Sequence, residues 1–153
     1  MNHVEEMLEK ASDICIANGS RLTDKRRQVL SILLNSKAAI SAYEVIEHFQ
    51  KAFEESLAPM SAYRILKFLE QEHLVHRINI SNKYVACAHI GKEHSHELPH
   101  FLFCEVCQRV EELNEKRQQN EQLRSLIEQT GYTLASSQIE LSCICSACQS
   151  STG

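Results

Sequence analysis

Two cysteine pairs, Cys104-x-x-Cys107 and Cys145-x-x-Cys148, constrain this chain more than any other feature. A two-residue gap lets a tight turn aim both sulfurs at one tetrahedral ion, and four thiolates suit zinc. If the pairs share one ion, the chain must leave the first pair and come back to it. Their separation exceeds that of a compact zinc ribbon, so a helix and a strand have to fold back in between. The competing readings are buried free thiols and redox pairs, and neither pair has a thioredoxin-like strand context. Cys143 makes the run CICSAC ambiguous, but its spacing to Cys145 is too short for the usual turn. Structural zinc on Cys104, Cys107, Cys145 and Cys148 is the expectation.

Composition supports metal over disulfides. The chain has 153 residues, enough for one ordinary domain or two small ones, and its seven cysteines are an odd count. The opening MNHVEEMLEK is acidic and lacks the basic-then-apolar run of a secretory signal. No stretch approaches the ~18 uninterrupted apolar residues of a membrane helix. A soluble, cytoplasmic chain with no membrane partner is therefore expected, where cysteines serve metals or thiol chemistry. Net charge is −4, which does not advertise nucleic-acid binding. Its distribution is uneven. Residues 1–86 hold eleven Lys/Arg and eleven Asp/Glu, and the remainder holds five against nine. Lys25, Arg26 and Arg27 form a cluster suited either to phosphates or simply to a solvated helix face.

The first 74 residues read as helices. Val4, Met7, Leu8, Ala11 and Ile14 follow the spacing of an amphipathic helix, which Asn18-Gly19 ends. Thr23 is a suitable N-cap for a second helix with Val29, Leu30, Leu33 and Leu34 inward. Ser41 caps a third, with Glu44 in the capping-box position. Pro59 suits the first turn of a fourth, PMSAYRILKFLEQE, with Ala62, Ile65, Leu66 and Leu69 as its buried stripe. Ser61, Arg64, Lys67 and Phe68 fall largely on the other side. The period then changes: HLVHRINI and KYVACA are two strands joined at Ser81-Asn82. Helices followed by such a hairpin are the plan of a winged helix-turn-helix, in which the fourth helix enters the DNA major groove. A small helical bundle with a hairpin is the plainer alternative.

The polar run HIGKEHSHELP, residues 89–99, separates this region from a second unit. There FLF and RVEEL read as strands around the first thiol pair. NEQLRSLIEQ reads as a helix with Leu123, Leu126 and Ile127 on one face, Gly131 closes it, and YTLASSQIEL reads as a further strand. The expected organisation is a winged-helix domain over 1–88, a hinge and metal-ligand loop over 89–99, and a dimerisation domain with structural zinc over 100–153. The fold class is α+β.

Of eight histidines, five fall between 76 and 100, the same stretch that holds Cys87 at the end of a strand. With Glu111 and Glu112 they make a second metal site the expectation. A set that includes a soft thiolate suits zinc better than iron or manganese. The run HELPH, residues 96–100, matches the HExxH of zinc proteases, but that chemistry needs both histidines on one helical face. Pro99 inside the motif breaks a helix. The zinc-deaminase signature is absent, the four glycines are not grouped, and nothing argues for catalysis.

The runs RLTDKRRQVL, ISAYEVIEHF and PMSAYRILKFLEQEHLVHRI, followed by the two thiol pairs, resemble the ferric-uptake-regulator superfamily of metal-responsive repressors. Cys87 after the hairpin is similar to its zinc-responsive branch. The likeness spans residues 20–148 and departs in LTDKR for LTPQR, in MSAYR for TVYR, and in a longer loop before Cys104. It implies a cytoplasmic homodimer that binds double-stranded operator DNA, with two zinc ions per chain. It implies a sensing zinc on His76, Cys87, a loop histidine and Glu112. His96 is the chosen loop histidine, with His94 and His100 as alternatives. Strand alternation puts Glu111 and Glu112 on opposite faces, so only one can be a ligand. The resemblance makes Tyr63 and Arg64 the DNA-reading pair, with Lys25, Arg26, Tyr43, Ser61 and Lys67 as further expected contacts. An iron- or peroxide-sensing member and a non-regulatory zinc module are the alternatives.

Overall fold

The first three helices each begin where a side chain takes up orphan backbone N–H groups. α1 (His3–Ala17) starts at Asn2, whose Oδ1 accepts from the Glu5 N–H at 2.8 Å. It ends at Asn18, and Gly19 at φ +79° turns the chain. α2 (Asp24–Asn35) is capped by Thr23, so aspartate in place of proline still leaves a capped start. α3 (Ala42–Phe53) carries both halves of a capping box: Ser41 Oγ accepts from Glu44 N, and the Glu44 carboxylate accepts from Ser41 N. α4 (Pro59–Gln71) has no side-chain cap and relies on proline in its first turn. The computed structural model describes residues 2–92, 98–113 and 117–150.

The chain divides into two compact units, Met1–His94 and Ser95–Gly153. In the first, one apolar stripe from each helix meets in a single core. Val29, Leu30, Val45, Phe49, Ala62, Leu66 and Leu69 are fully buried there. Cys15 is part of this core, and burial pushes its thiol above the ordinary value. β1 (Val75–Ile78) and β2 (Lys83–Ala86) pair antiparallel, from Val75 opposite Ala86 to Ile78 opposite Lys83. Ile40 and Tyr84 exchange backbone hydrogen bonds of 3.0 and 2.7 Å, which fasten the hairpin to the strand-like run before α3. At its tip, Arg77 donates twice to Asn82 Oδ1, and Asn82 takes φ +54°. Helices, a short third strand and a hairpin together form a winged helix. The chain then runs back over the unit, where Ile90 is buried in the helical core.

The second unit is a three-stranded sheet in the order β4-β3-β5, with α5 (Arg117–Gln129) and the short α6 (Ser146–Gln149). β3 (His100–Cys104) pairs antiparallel with β4 (Val110–Leu113) and parallel with β5 (Ile139–Cys143). A parallel neighbour requires a crossover, and α5 lies within it. Phe101 and Phe103 are buried, whereas Leu126, Tyr132, Leu141 and Ile144 are exposed.

One expected element is displaced. The strand read over YTLASSQIEL begins only at Ile139 and runs on to Cys143. Its pairing partner β3 starts at His100, opposite Ile139, so residues 132–138 have no strand to pair with. The apolar face expected of α5 also stays partly open, with Leu126 62% exposed. Among the described residues, no helix is long and apolar enough to cross a membrane.

Phe49 is fully buried and stacks obliquely on Phe53, with ring centroids 5.0 Å apart. Truncating a buried phenylalanine costs roughly 3–5 kcal/mol. Phe49→Ala should therefore lower the urea midpoint of the first unit sharply, as followed by helical circular dichroism.

Candidate metal centres and nucleic-acid interface

Parallel pairing of β3 and β5 brings their C-terminal ends side by side, and each end leads into a thiol pair. Cys104 is the last residue of β3 and sits in register with Cys143. A turn returns the chain through Cys107, closed by Gln108 N donating to Cys104 O at 2.9 Å. Gln108 takes φ +65° there. Cys145 stands at the N-cap of α6, and Cys148 lies within it, buried. Glu105 N donates to Cys143 O at 3.0 Å, which ties the two turns together. Cys145 N donates to Cys104 Sγ at 3.4 Å, and Cys107 Sγ lies 3.8 Å from Cys145 Sγ. All four sulfurs fall within 4.8 Å of one another. Cys143 is outside this group.

The thiols of this cluster do not ionise alike. Backbone N–H groups of Cys107 and Cys145 bring Cys104 down to about 6. The backbone N–H of Cys148 lowers Cys145. Cys148 is pushed up to about 12 by its hydrogen bond with Cys145, by burial, and by the neighbouring sulfurs. The cluster thus accepts its first negative charge readily and resists the last. A divalent cation removes that conflict, and four soft sulfur donors at this spacing fit zinc.

A second pair of ligand types lies in the first unit. His76, on β1, and Cys87, just beyond β2, are both buried, with ligand atoms within 4.8 Å of each other. Cys87 is held from both sides: its own N–H donates to Leu74 O at 2.9 Å, and the His89 N–H donates to its sulfur at 3.4 Å. In the second unit, Glu112 is half-buried on β4 while Glu111 is exposed, as alternation requires. His94 and His96 lie outside the described residues. His100 is within them, on β3, and its Nε2 is 2.9 Å from Asn120 Oδ1 of α5.

The residues singled out for DNA separate into two kinds. Tyr63, Arg64 and Lys67 are exposed along α4, Ser61 is half-exposed, and Tyr43 stands out from α3 at 65% exposure. The basic cluster of α2 is instead engaged within the unit. Lys25 pairs with Glu55, Arg27 with Glu5 and Glu9, and the Arg26 guanidinium stacks 3.7 Å from the centroid of Phe68. Arg26 also donates to Arg21 O at 2.7 Å.

Three roles were not read from the sequence. Asn120 is a buried polar residue that takes up His100. It had a signal, since it precedes Leu123 and Ile127 by three and seven residues on one helical face. Phe68, expected on the outer side of α4, is half-buried beneath Arg26. The His89 N–H on Cys87 had no signal, because a backbone donor leaves no trace in residue type.

The profile of the ferric uptake regulator family matches residues 17–142, spanning both units. The chain belongs to the ferric uptake regulator family. It is 31% identical over 144 residues to the zinc uptake regulation protein of Escherichia coli K12, covering 94% of this chain and 82% of that one. A zinc uptake regulator solved in complex with zinc and DNA superposes with a TM-score of 0.85 at 27% identity, covering 99% of both chains. The holo form of the regulator XcZur follows with a TM-score of 0.77 at 28% identity, covering 95% of this chain and 98% of that one. The α+β class, with an N-terminal winged helix and a small C-terminal α/β unit, is the fold of these family members.

The four-thiol centre generates two expectations. Cys104→Ser should lower bound zinc and the melting temperature of the second unit together, since structural zinc contributes folding energy. Unchanged melting would remove the structural role. Because Cys148 remains protonated far above neutral pH while Cys104 does not, zinc loading near pH 7 should release protons. Zinc affinity should accordingly rise with pH, as measured by competition with a chromophoric chelator.

Proposed function

We propose that this chain is a zinc-responsive dimeric repressor that binds operator DNA when its sensing site is loaded and so controls zinc uptake genes. The observation that carries the reading is the buried His76–Cys87 pair built into the wing. A thiolate beside an imidazole is a soft, zinc-favouring start to a site, and it belongs to the hairpin that accompanies the recognition helix. It is distinct from the four-thiol centre, so two zinc ions per chain are expected. Membership in a family of regulators places the chain outside the enzymes, and the reading places it in the cytoplasm with the DNA.

The sensing zinc completes its shell with Glu112 and a histidine of the HSHELPH run. His100 is engaged with Asn120, which favours His96, or its neighbour His94, for that role. An ion with ligands from the wing and from β4 restricts the orientations open to the DNA-binding unit. Fixing that orientation lowers the cost of placing two recognition helices in successive major grooves. Zinc shifts the equilibrium only by its differential affinity for the competent arrangement. Typical coupling of about 1–3 kcal/mol corresponds to a change of roughly 5–150-fold in DNA affinity.

Dimerisation through the second unit is supported by the exposed Leu126, Tyr132, Leu141 and Ile144. An apolar set of this kind suits a partner surface. DNA is met by α4, with Arg64 on guanine and Tyr63 beside it, and with Ser61, Lys67 and Tyr43 in support. Lys25 and Arg26 reach phosphates only by giving up Glu55 and, for Arg26, the Phe68 ring.

Elemental analysis should find two zinc ions per chain, falling to one on mild chelation with the dimer intact and DNA binding lost. Cys87→Ser should keep the dimer and the resistant zinc but lose the zinc dependence of DNA binding. A retained zinc response in that variant would sink the assignment of the sensing site.

A further inference from the structure

The exposed side of α4 carries one residue, Met60, that the repressor reading leaves unused. Met60, Tyr63, Arg64 and Lys67 fall at i, i+3, i+4 and i+7, the spacing that places residues on one face of a helix. The opposite stripe, Ala62, Ile65, Leu66 and Leu69, is buried in the core. All four outward residues are exposed, with their side chains turned away from the buried stripe. Met60 is the most N-terminal of the four and is 66% exposed. Such a side chain in water gives up the free energy its burial would supply. From the N-terminus, the stripe therefore runs from thioether to phenol to guanidinium to ammonium.

That sequence of groups matches what a major groove presents. Recognition helices meet base edges with their N-terminal residues, while positions further along reach the backbone. Lys67 has the charge for phosphate and Arg64 the fork for guanine. The one apolar feature on the base edges of the major groove is the 5-methyl group of thymine. Methionine suits it, being unbranched, apolar and able to adjust its rotamer to a shallow target. We propose that Met60 is a specificity-determining residue that packs on the methyl group of a thymine next to the base pair read by Arg64. This inference rests on the DNA-binding reading given above and adds to it a base preference and the residue that sets it.

The test uses the full-length zinc-loaded protein and a duplex it selects from a random pool. Each thymine in the selected duplex is replaced in turn by deoxyuridine, which keeps base pairing and removes only the methyl group. Wild-type protein should lose about four-fold in affinity at one thymine per half-site, the equivalent of one buried methyl group. Met60→Ala should bind the thymine duplex about four-fold more weakly and be indifferent to deoxyuridine at that same position. Met60→Leu should retain the discrimination, and both variants should keep their zinc content and dimeric state. If Met60→Ala still senses the methyl group as wild type does, or if no thymine is sensitive, the inference is overturned while the repressor reading stands. If no duplex is selected in a zinc-dependent way, the DNA-binding reading fails and takes this inference with it.

Discussion

The second unit is organised around four cysteine sulfurs brought within 4.8 Å of one another, which cannot all ionise without repelling one another. Backbone donors draw a charge onto Cys104, and the same crowding holds a proton on Cys148 up to about 12. Such a cluster is a poor apolar core and a good cation site. The sheet around it is small, with Phe101 and Phe103 the only buried aromatic residues among those described there, so apolar burial alone offers it little. Zinc held by the four thiols would supply what that core lacks. The positions of β3, β5 and both turns follow from the need to deliver sulfurs to one point.

The first unit is built on the opposite principle. Its core is continuous and apolar, its helices are capped by Asn2, Thr23 and the Ser41–Glu44 box, and the wing is fastened by the Ile40–Tyr84 pair. Polar chemistry enters that core at few points, and the one that matters is the wing. There His76 faces Val85 across the hairpin while Cys87 follows the second strand. On the proposed reading, a metal bound at this pair would act on an already folded element and so report on zinc without being needed for folding. The two sites would then divide labour between stability and response.

Much of this was legible in the residues, for identifiable reasons. The caps at Thr23, Ser41 and Pro59 are local, and the structure uses each where the sequence placed it. The thiol pairs were legible because their spacing is set by turn geometry rather than by tertiary context. The start of the last strand was not, because alternation of side chains says nothing about where a partner strand begins. The engagement of Arg26 was equally hidden: basic residues on a helix look alike until a ring such as Phe68 comes up against one of them. His100 looked like its neighbours in a histidine-rich run, and only the fold shows Asn120 beside it.

Parallel pairing of β3 with β5 has a consequence for how the molecule is made. The strand pair can form only after the crossover through α5 has been synthesised, and the second pair of thiols follows β5, some forty residues after the first. During synthesis the first pair waits with two sulfurs and no partners, at the end of a loop whose closure entropy grows with its length. Non-local pairing of this kind is slow relative to the local contacts of a helical unit. The N-terminal unit can therefore assemble first, while the second unit matures only once both thiol pairs have been made. If the four thiols hold zinc as proposed, its supply would affect not only whether a finished molecule is active but how fast a new one reaches its final form.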